Sequence, residues 1–195
     1  MSLRAFLQRI VEVLDEAGVP YMLTGSLASA FYAVPRATQD VDVVIETEED
    51  GVDRLVRGLL LAGWYADRSA ALEAWRGRGQ FNAIEPESGW KADFIVRRDR
   101  SYSEEEFRRR QRISLLGVDL AVASLEDVLI AKLEWSKLGD SALQRRDVIQ
   151  LLERTWDHLD HEYLETWVPR LDLDQEWQSA KEQVELGPDT DDAGS

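Results

Sequence analysis

The sequence predicts an α+β protein, with a mixed α/β half, a soft boundary near residue 123, and an all-helical half after it. Two observations carry this reading. Before the boundary, short runs with apolar residues at every second position alternate with runs of helical period. From Ser124 onward only the helical period is left. No internal repeat interrupts this layout.

The elements follow in order. Leu3, Phe6, Leu7, Ile10, Val11 and Leu14 recur at helical spacing, and Gly18 ends that helix as a left-handed cap residue. Pro20 opens an extended run, Tyr21–Thr24, which breaks at Gly25-Ser26. The Ala-rich, aromatic stretch from Leu27 to Ala33 reads as a short buried helix. Gln39 to Glu46 begins in strict alternation, Asp40 and Asp42 on one face and Val41 and Val43 on the other, which is a strand with one polar face. Glu48, Glu49 and Asp50 then open a helix with apolar positions Val52, Leu55, Val56, Leu59 and Leu60, its acidic first turn suiting the positive end of the helix dipole.

Gln80–Glu85 and Trp90–Val96 read as two strands joined by a turn over Pro86–Gly89. Arg112–Leu116 and Val118–Ala123 make a second hairpin about Gly117. Ser124 is an N-cap with Asp127 at the capping-box position. Helices follow over about 125–138, 142–156, 160–169 and 173–184, and the Gly-, Pro-, Asp- and Ser-rich tail over 185–195 is expected to be disordered.

Composition narrows the function classes. With no cysteine among 195 residues, disulfides and thiolate metal sites are both excluded. Charges recur every few residues through the amino terminus, and the longest apolar stretch, near Leu59–Trp64, is too short to cross a bilayer. A cytoplasmic protein without membrane contact is expected. A net charge of −15 repels phosphate backbones, so broad nucleic-acid coating is not expected. One arginine-rich stretch, Arg97 to Arg112, reads either as a local basic patch or as a solvated, salt-bridged helix face.

Three carboxylates carry the chemistry. Asp40 and Asp42, two apart on a strand, point to the same face. Like charges held that close raise the cost of ionisation, and a divalent cation removes the penalty. Hard oxygen ligands at this spacing suit Mg²⁺ or Mn²⁺. Asp93 lies on another strand with apolar alternate residues and joins them only if the two strands are neighbours; otherwise it pairs with Lys91 or an arginine. Upstream, Gly25 lets backbone approach a ligand, the following helix start offers free N–H groups to a phosphate, and Ser26 adds a hydroxyl. A phosphate cradle followed by metal-binding carboxylates is what nucleotidyl transfer needs.

The run Gly25-Ser26, Asp40-Val41-Asp42 and Lys91-Ala92-Asp93-Phe94 resembles the nucleotidyltransferase superfamily pattern. There a Gly-Ser or Gly-Gly pair precedes a DxD strand and a later lone Asp. Pro35-Arg36-Ala37-Thr38-Gln39-Asp40-Val41-Asp42 looks like the Arg-x-Thr-x-Asp-x-Asp form of bacterial minimal nucleotidyltransferases and of toxins in abortive-infection toxin–antitoxin systems. The stretches from Ser124 through Lys132 and from Arg145 through Leu152 are similar to segments that follow the catalytic core in those proteins. Gly-Ser and the first Asp are spaced more widely than in the antitoxin-type enzymes, which favours the toxin-like and stand-alone branch.

The resemblance spans about residues 5–155. It implies a nucleotidyltransferase fold: a short mixed β-sheet flanked by helices, then a C-terminal helical bundle. Residues 1–123 would form the catalytic core and 124–184 the helical region. It further implies an enzyme that uses Mg²⁺ or Mn²⁺, held by Asp40, Asp42 and Asp93, to move a nucleoside monophosphate from a nucleoside triphosphate to a hydroxyl acceptor. That acceptor is an RNA end, a protein or a small molecule. A toxin would add a cognate protein partner; a non-catalytic binder of the same fold is the alternative.

By position, Gly25, Ser26, Arg36 and Thr38 would bind the triphosphate, and Lys132 would reach its phosphates or the acceptor. Arg36 and Thr38 also read as plain loop residues, and Lys132 as a snorkelling surface lysine. Arg146-Asp147 reads as an interhelix salt bridge. His158 and His161, three apart, lack a third metal ligand and read as surface residues. Trp135, Trp156, Trp167 and Trp177 read as packing residues of the helices.

Overall fold

The computed structural model describes residues 1–33, 39–139 and 141–186. Helix α1 (Leu3–Ala17) is capped at both ends: the Ser2 side chain accepts from the Ala5 N–H, and Gly18 adopts a left-handed φ of 63°. Its buried stripe is Phe6, Leu7, Ile10, Val13, Leu14 and Ala17. Strand β1 (Tyr21–Thr24) passes directly into α2 (Gly25–Tyr32), so the helix begins at the glycine, two residues earlier than its apolar content predicts. Strand β2 (Asp40–Ile45) and helix α3 (Glu49–Leu61) follow as expected.

Three elements are absent from the element order read in the sequence: β3 (Tyr65–Ala66), α4 (Arg68–Gly77) and α5 (Ser101–Arg108), the last read only as a basic patch or a charged helix face. β3 is only two residues long, too short to alternate visibly. Helix α4 buries only Ala71, Leu72 and Ala74, so it shows no long apolar stripe. Its start depends on a cap instead, with Asp67 accepting from the N–H groups of Ser69 and Ala70 at 2.7 and 3.0 Å. Next come β4 (Gln80–Ile84), β5 (Lys91–Val96), α5 (Ser101–Arg108), β6 (Gln111–Leu115) and β7 (Val118–Val122).

These strands form one seven-stranded mixed sheet in the order β3-β4-β5-β2-β1-β7-β6. The β2–β5 and β1–β7 pairs are parallel and the remainder antiparallel. One face is apolar: Val41, Val43 and Ile45 of β2 and Ala92, Phe94 and Val96 of β5 are all 0% exposed. Helices α1, α3 and α4 pack on one another and on the sheet. The other face of β2 and β5 is left half open and carries the polar residues.

The chain divides into two compact units. The first holds residues from Met1 to Ala28 and the sheet as far as Ser124; the second holds Ser29 to Ala33 with the chain from Leu125 onward. The second is helical: α6 (Leu125–Gly139), α7 (Ala142–Thr155), a 3₁₀ turn (Trp156–His158), α8 (His161–Arg170) and α9 (Asp174–Leu186). Helix α9 extends past the expected end at 184 to take in Glu185 and Leu186; both are good helix formers, and glycine and proline follow only after them. The rest of that tail, 187–195, lies outside the described residues.

Candidate functional site

The parallel pairing of β2 with β5 decides the site. Its register sets Asp42 opposite Asp93 and Asp40 opposite Lys91. Partners in register share a face, so both DxD carboxylates, Asp93 and Lys91 project from the same side of the sheet. β1 extends the row, with Thr24 opposite Asp42, and β4 with Asn82 opposite Asp93.

Gly25 sits where β1 ends, at φ 65°. That left-handed conformation favours glycine, and a second constraint is steric: a Cβ here would collide with Oδ2 and Cγ of Asp42. The carboxylate of Asp42 therefore lies against the backbone of the strand-to-helix turn. Ser26 follows, half-buried, in the first turn of α2, where backbone N–H groups have no intrahelical acceptor. Next to them is the hydroxyl of Thr24, buried and without a hydrogen-bond partner among the described residues.

Lys91 organises the carboxylates. Its ammonium is 2.9 Å from Asp93 Oδ2 and 3.4 Å from Asp40 Oδ1. The hydrogen bond to Asp93 and the attraction of both carboxylates outweigh partial desolvation and raise the Lys91 pKa above its ordinary value. The pairing of Asp93 with Lys91 thus accompanies the strand pairing with β2; the two readings of Asp93 are not exclusive. Lys91 was within reach of sequence reasoning as a site residue, since it lies two positions before Asp93 on a strand. Thr24 was not, because nothing in the sequence says which strand lies beside Asp42.

Among the described residues, no group of three or more His, Cys, Asp or Glu side chains is gathered as ready ligands for a metal ion. Asp40, Asp42 and Asp93 share one face, and the Lys91 ammonium bridges two of them, Asp40 and Asp93. The donor set still fits a hard divalent cation: the oxygens belong to carboxylates on two rigid, hydrogen-bonded strands, and a cation, the ammonium, already stands between two of them.

Arg36 and Thr38 lie outside the described residues. Lys132 is in the helical unit and is neither a surface lysine nor exposed: its side chain is 3% exposed and its ammonium is 2.6 Å from Asp147 Oδ2, with Gln144 Oε1 at 3.3 Å. Asp147 therefore forms an interhelix salt bridge, and its partner is Lys132 of α6.

The same unit buries two acids at the start of α6. Asp127 accepts from the Tyr163 hydroxyl at 2.7 Å, and Glu126 accepts from the Asp160 N–H at 3.0 Å. Burial, then the charges of Glu126 and Asp127, push the Tyr32 phenol up to about 12. His161 bonds the Trp156 carbonyl at 3.1 Å and packs on its ring. Trp135 and Trp156 are 50% and 41% exposed, so each is only partly covered, although Trp156 stacks on Trp177.

Within the arginine stretch, Arg97 pairs with the distant Glu46 at 2.7 Å, Arg108 pairs with Glu105 in its own helix, and Arg110 donates to the Phe107 carbonyl.

No protein-family model matches the sequence, and no curated protein matches it significantly. Solved structures do. The solution structure of the antibiotic-resistance factor ANT(2'')-Ia superposes with a TM-score of 0.59 at 14% identity, covering 93% of this chain and 94% of its own. The crystal structure of ANT(2'')-Ia with adenylyl-2''-tobramycin gives 0.55 at 15% identity, covering 89% and 97%. The lincomycin-bound lincosamide antibiotic adenylyltransferase LnuA gives 0.54 at 11% identity, covering 77% and 96%. At these identities the likeness is one of fold. The chain has the nucleotidyltransferase fold.

Proposed function

We propose that this protein is a metal-dependent nucleotidyltransferase that moves a nucleoside monophosphate from a nucleoside triphosphate to a hydroxyl acceptor. The observation that carries the reading is the β2–β5 register, which sets Asp93 beside the Asp40-x-Asp42 pair with the Gly25-Ser26 turn against Asp42. Asp40, Asp42 and Asp93 would hold Mg²⁺ or Mn²⁺. Such an ion, when bound, offsets charge on the phosphates and on the leaving pyrophosphate. The backbone of Gly25 and Ser26 binds and orients the phosphates at the α2 start. Asp93, the least exposed of the carboxylates that Lys91 contacts, accepts the proton of the attacking hydroxyl. In-line positioning supplies the rate, with no covalent enzyme intermediate. Lys132, which pairs with Asp147, is assigned no step in this scheme.

The solved relatives carry adenylyl-tobramycin and lincomycin, which supports a small-molecule hydroxyl as acceptor. The sequence pattern around Asp40 supports instead a toxin that acts on an RNA or protein acceptor and has a cognate protein partner. The absence of cysteine agrees with a cytoplasmic setting. One observation favours a second reading, a non-catalytic binder of the same fold: Lys91 already ion-pairs with two of the three carboxylates, Asp93 and Asp40.

Thermal unfolding with each nucleoside triphosphate, with and without Mg²⁺ or Mn²⁺, separates the readings. A ligand at about a hundred times its dissociation constant adds roughly 2.7 kcal/mol to the folded state. For a chain of this size that raises the midpoint by roughly 5–10 °C. The rise is expected for a triphosphate with metal and is expected to vanish in Asp40→Asn/Asp42→Asn. No rise with any triphosphate would defeat the enzyme reading.

A further inference from the structure

The carboxylate face contains its own cation. Lys91 lies opposite Asp40 in the β2–β5 register and two residues before Asp93 on β5, so backbone geometry alone puts its side chain on the face of the three acids. Its ammonium touches two of them, at 2.9 and 3.4 Å. Lys91 is not locked in place. Its side chain is 32% exposed and that of Asp40 55%, whereas the Lys132–Asp147 pair is 3% and 8% exposed. The flexible four-carbon stem of a half-exposed lysine can carry the charge several ångströms without moving the strand.

A divalent ion held by Asp40 and Asp93 would have to share them with this ammonium, and two cations at contact distance repel. A bound triphosphate changes the balance, because it brings several negative charges to the α2 start beside Asp42, on the same face. We propose that Lys91 is a displaceable internal cation that makes metal binding depend on nucleotide: without triphosphate it occupies Asp40 and Asp93, and with triphosphate it moves to the phosphates and releases both carboxylates. The inference rests on the nucleotidyl-transfer reading above. Coupling of this kind is reciprocal, so metal and nucleotide each tighten the other by the same factor. The consequence is a site that does not fill with metal before its donor arrives.

The test is Mn²⁺ binding followed by the electron paramagnetic resonance signal of free Mn²⁺. It is run on the native chain, Lys91→Met, Lys91→Gln and Lys91→Arg, with and without a non-hydrolysable triphosphate analogue. Methionine keeps the stem and removes the charge; glutamine guards against a packing artefact; arginine keeps the charge. Lys91→Met and Lys91→Gln are expected to bind Mn²⁺ alone about tenfold tighter than native, the scale of one unit charge removed at contact. Their gain on adding the analogue is expected to shrink by the same factor, and Lys91→Arg is expected to behave as native.

If both neutral variants bind Mn²⁺ no tighter than the native chain, while Asp42→Asn abolishes binding in all of them, the Lys91 inference fails and the metal site stands. If no variant binds Mn²⁺ with or without the analogue, the nucleotidyl-transfer reading fails and takes this inference with it.

Discussion

Each of the two units holds a lysine between strand or helix neighbours and pairs it with aspartate, but the surroundings differ. Lys132 and Asp147 join α6 to α7 at 3% and 8% side-chain exposure, with Gln144 as a second acceptor. Lys91 lies across β5 and β2 at 32% exposure, shared between Asp93 and Asp40. A buried pair is rigid because neither charge has water to fall back on, and losing one partner strands the other. A half-exposed pair has water as an alternative, so it contributes little to folding and can be rearranged by a ligand. The contrast separates a buried, rigid ion pair from a half-exposed, rearrangeable one although both consist of the same residue types.

Breaking the two pairs should give the largest difference. Lys132→Met strands Asp147 in the helical core and is expected to cost about 3–5 kcal/mol, a fall in melting temperature of roughly ten degrees or more. Lys91→Met is expected to cost less than about 1 kcal/mol. Thermal scans of the two variants side by side check this, and equal losses would erase the distinction.

A smaller effect sharpens the sheet side of the comparison. Gly18 and Gly25 both have positive φ, 63° and 65°, so alanine at either is expected to cost roughly 1–2 kcal/mol of backbone strain. An added Cβ at Gly18 meets nothing within 4 Å, whereas at Gly25 it displaces the Asp42 carboxylate. Gly18→Ala should therefore keep the metal- and triphosphate-dependent rise in melting temperature, and Gly25→Ala should lose it. A rise retained in Gly25→Ala would detach the turn from the site.

The smallest effect lies in the helical unit and reads its buried acids. Burial and the nearby Glu126 and Asp127 charges raise the Tyr32 phenol to about 12, while an unfolded tyrosine ionises near pH 10 (roughly). The raised value favours the neutral form of the folded state. That stabilisation is fully present below about pH 10 and is lost as pH climbs toward about 12, because the unfolded chain ionises first. Urea midpoints measured near pH 9 and near pH 11 (about two units apart) should fall with pH in the native chain and fall less in Tyr32→Phe.

Much of this architecture was legible in the linear order of residues. The α1 stripe, the Gly18 cap, the acidic start of α3 and the alternation in β2 and β5 are local signals, written within one turn of helix or a few positions of strand. Elements with no local signature were missed. β3 is too short to show a period, and α4 is defined by its Asp67 cap and by packing on α3 rather than by its own apolar content.

By itself, the sequence determined that Asp40 and Asp42 share a face, that Asp93 stands on an alternating strand, and that a glycine-serine pair ends β1. Side-chain direction along one strand follows from the two-residue repeat alone. Only the tertiary structure decided that β5 runs parallel to β2 in a register that sets Asp42 beside Asp93, that Asp42 packs on Gly25, and that Lys91 stands among the acids. It also decided that Lys132 is buried and paired with Asp147. Strand partners and interhelix pairs are chosen by long-range packing, and the residues they join are separated by tens of positions that carry no record of the pairing.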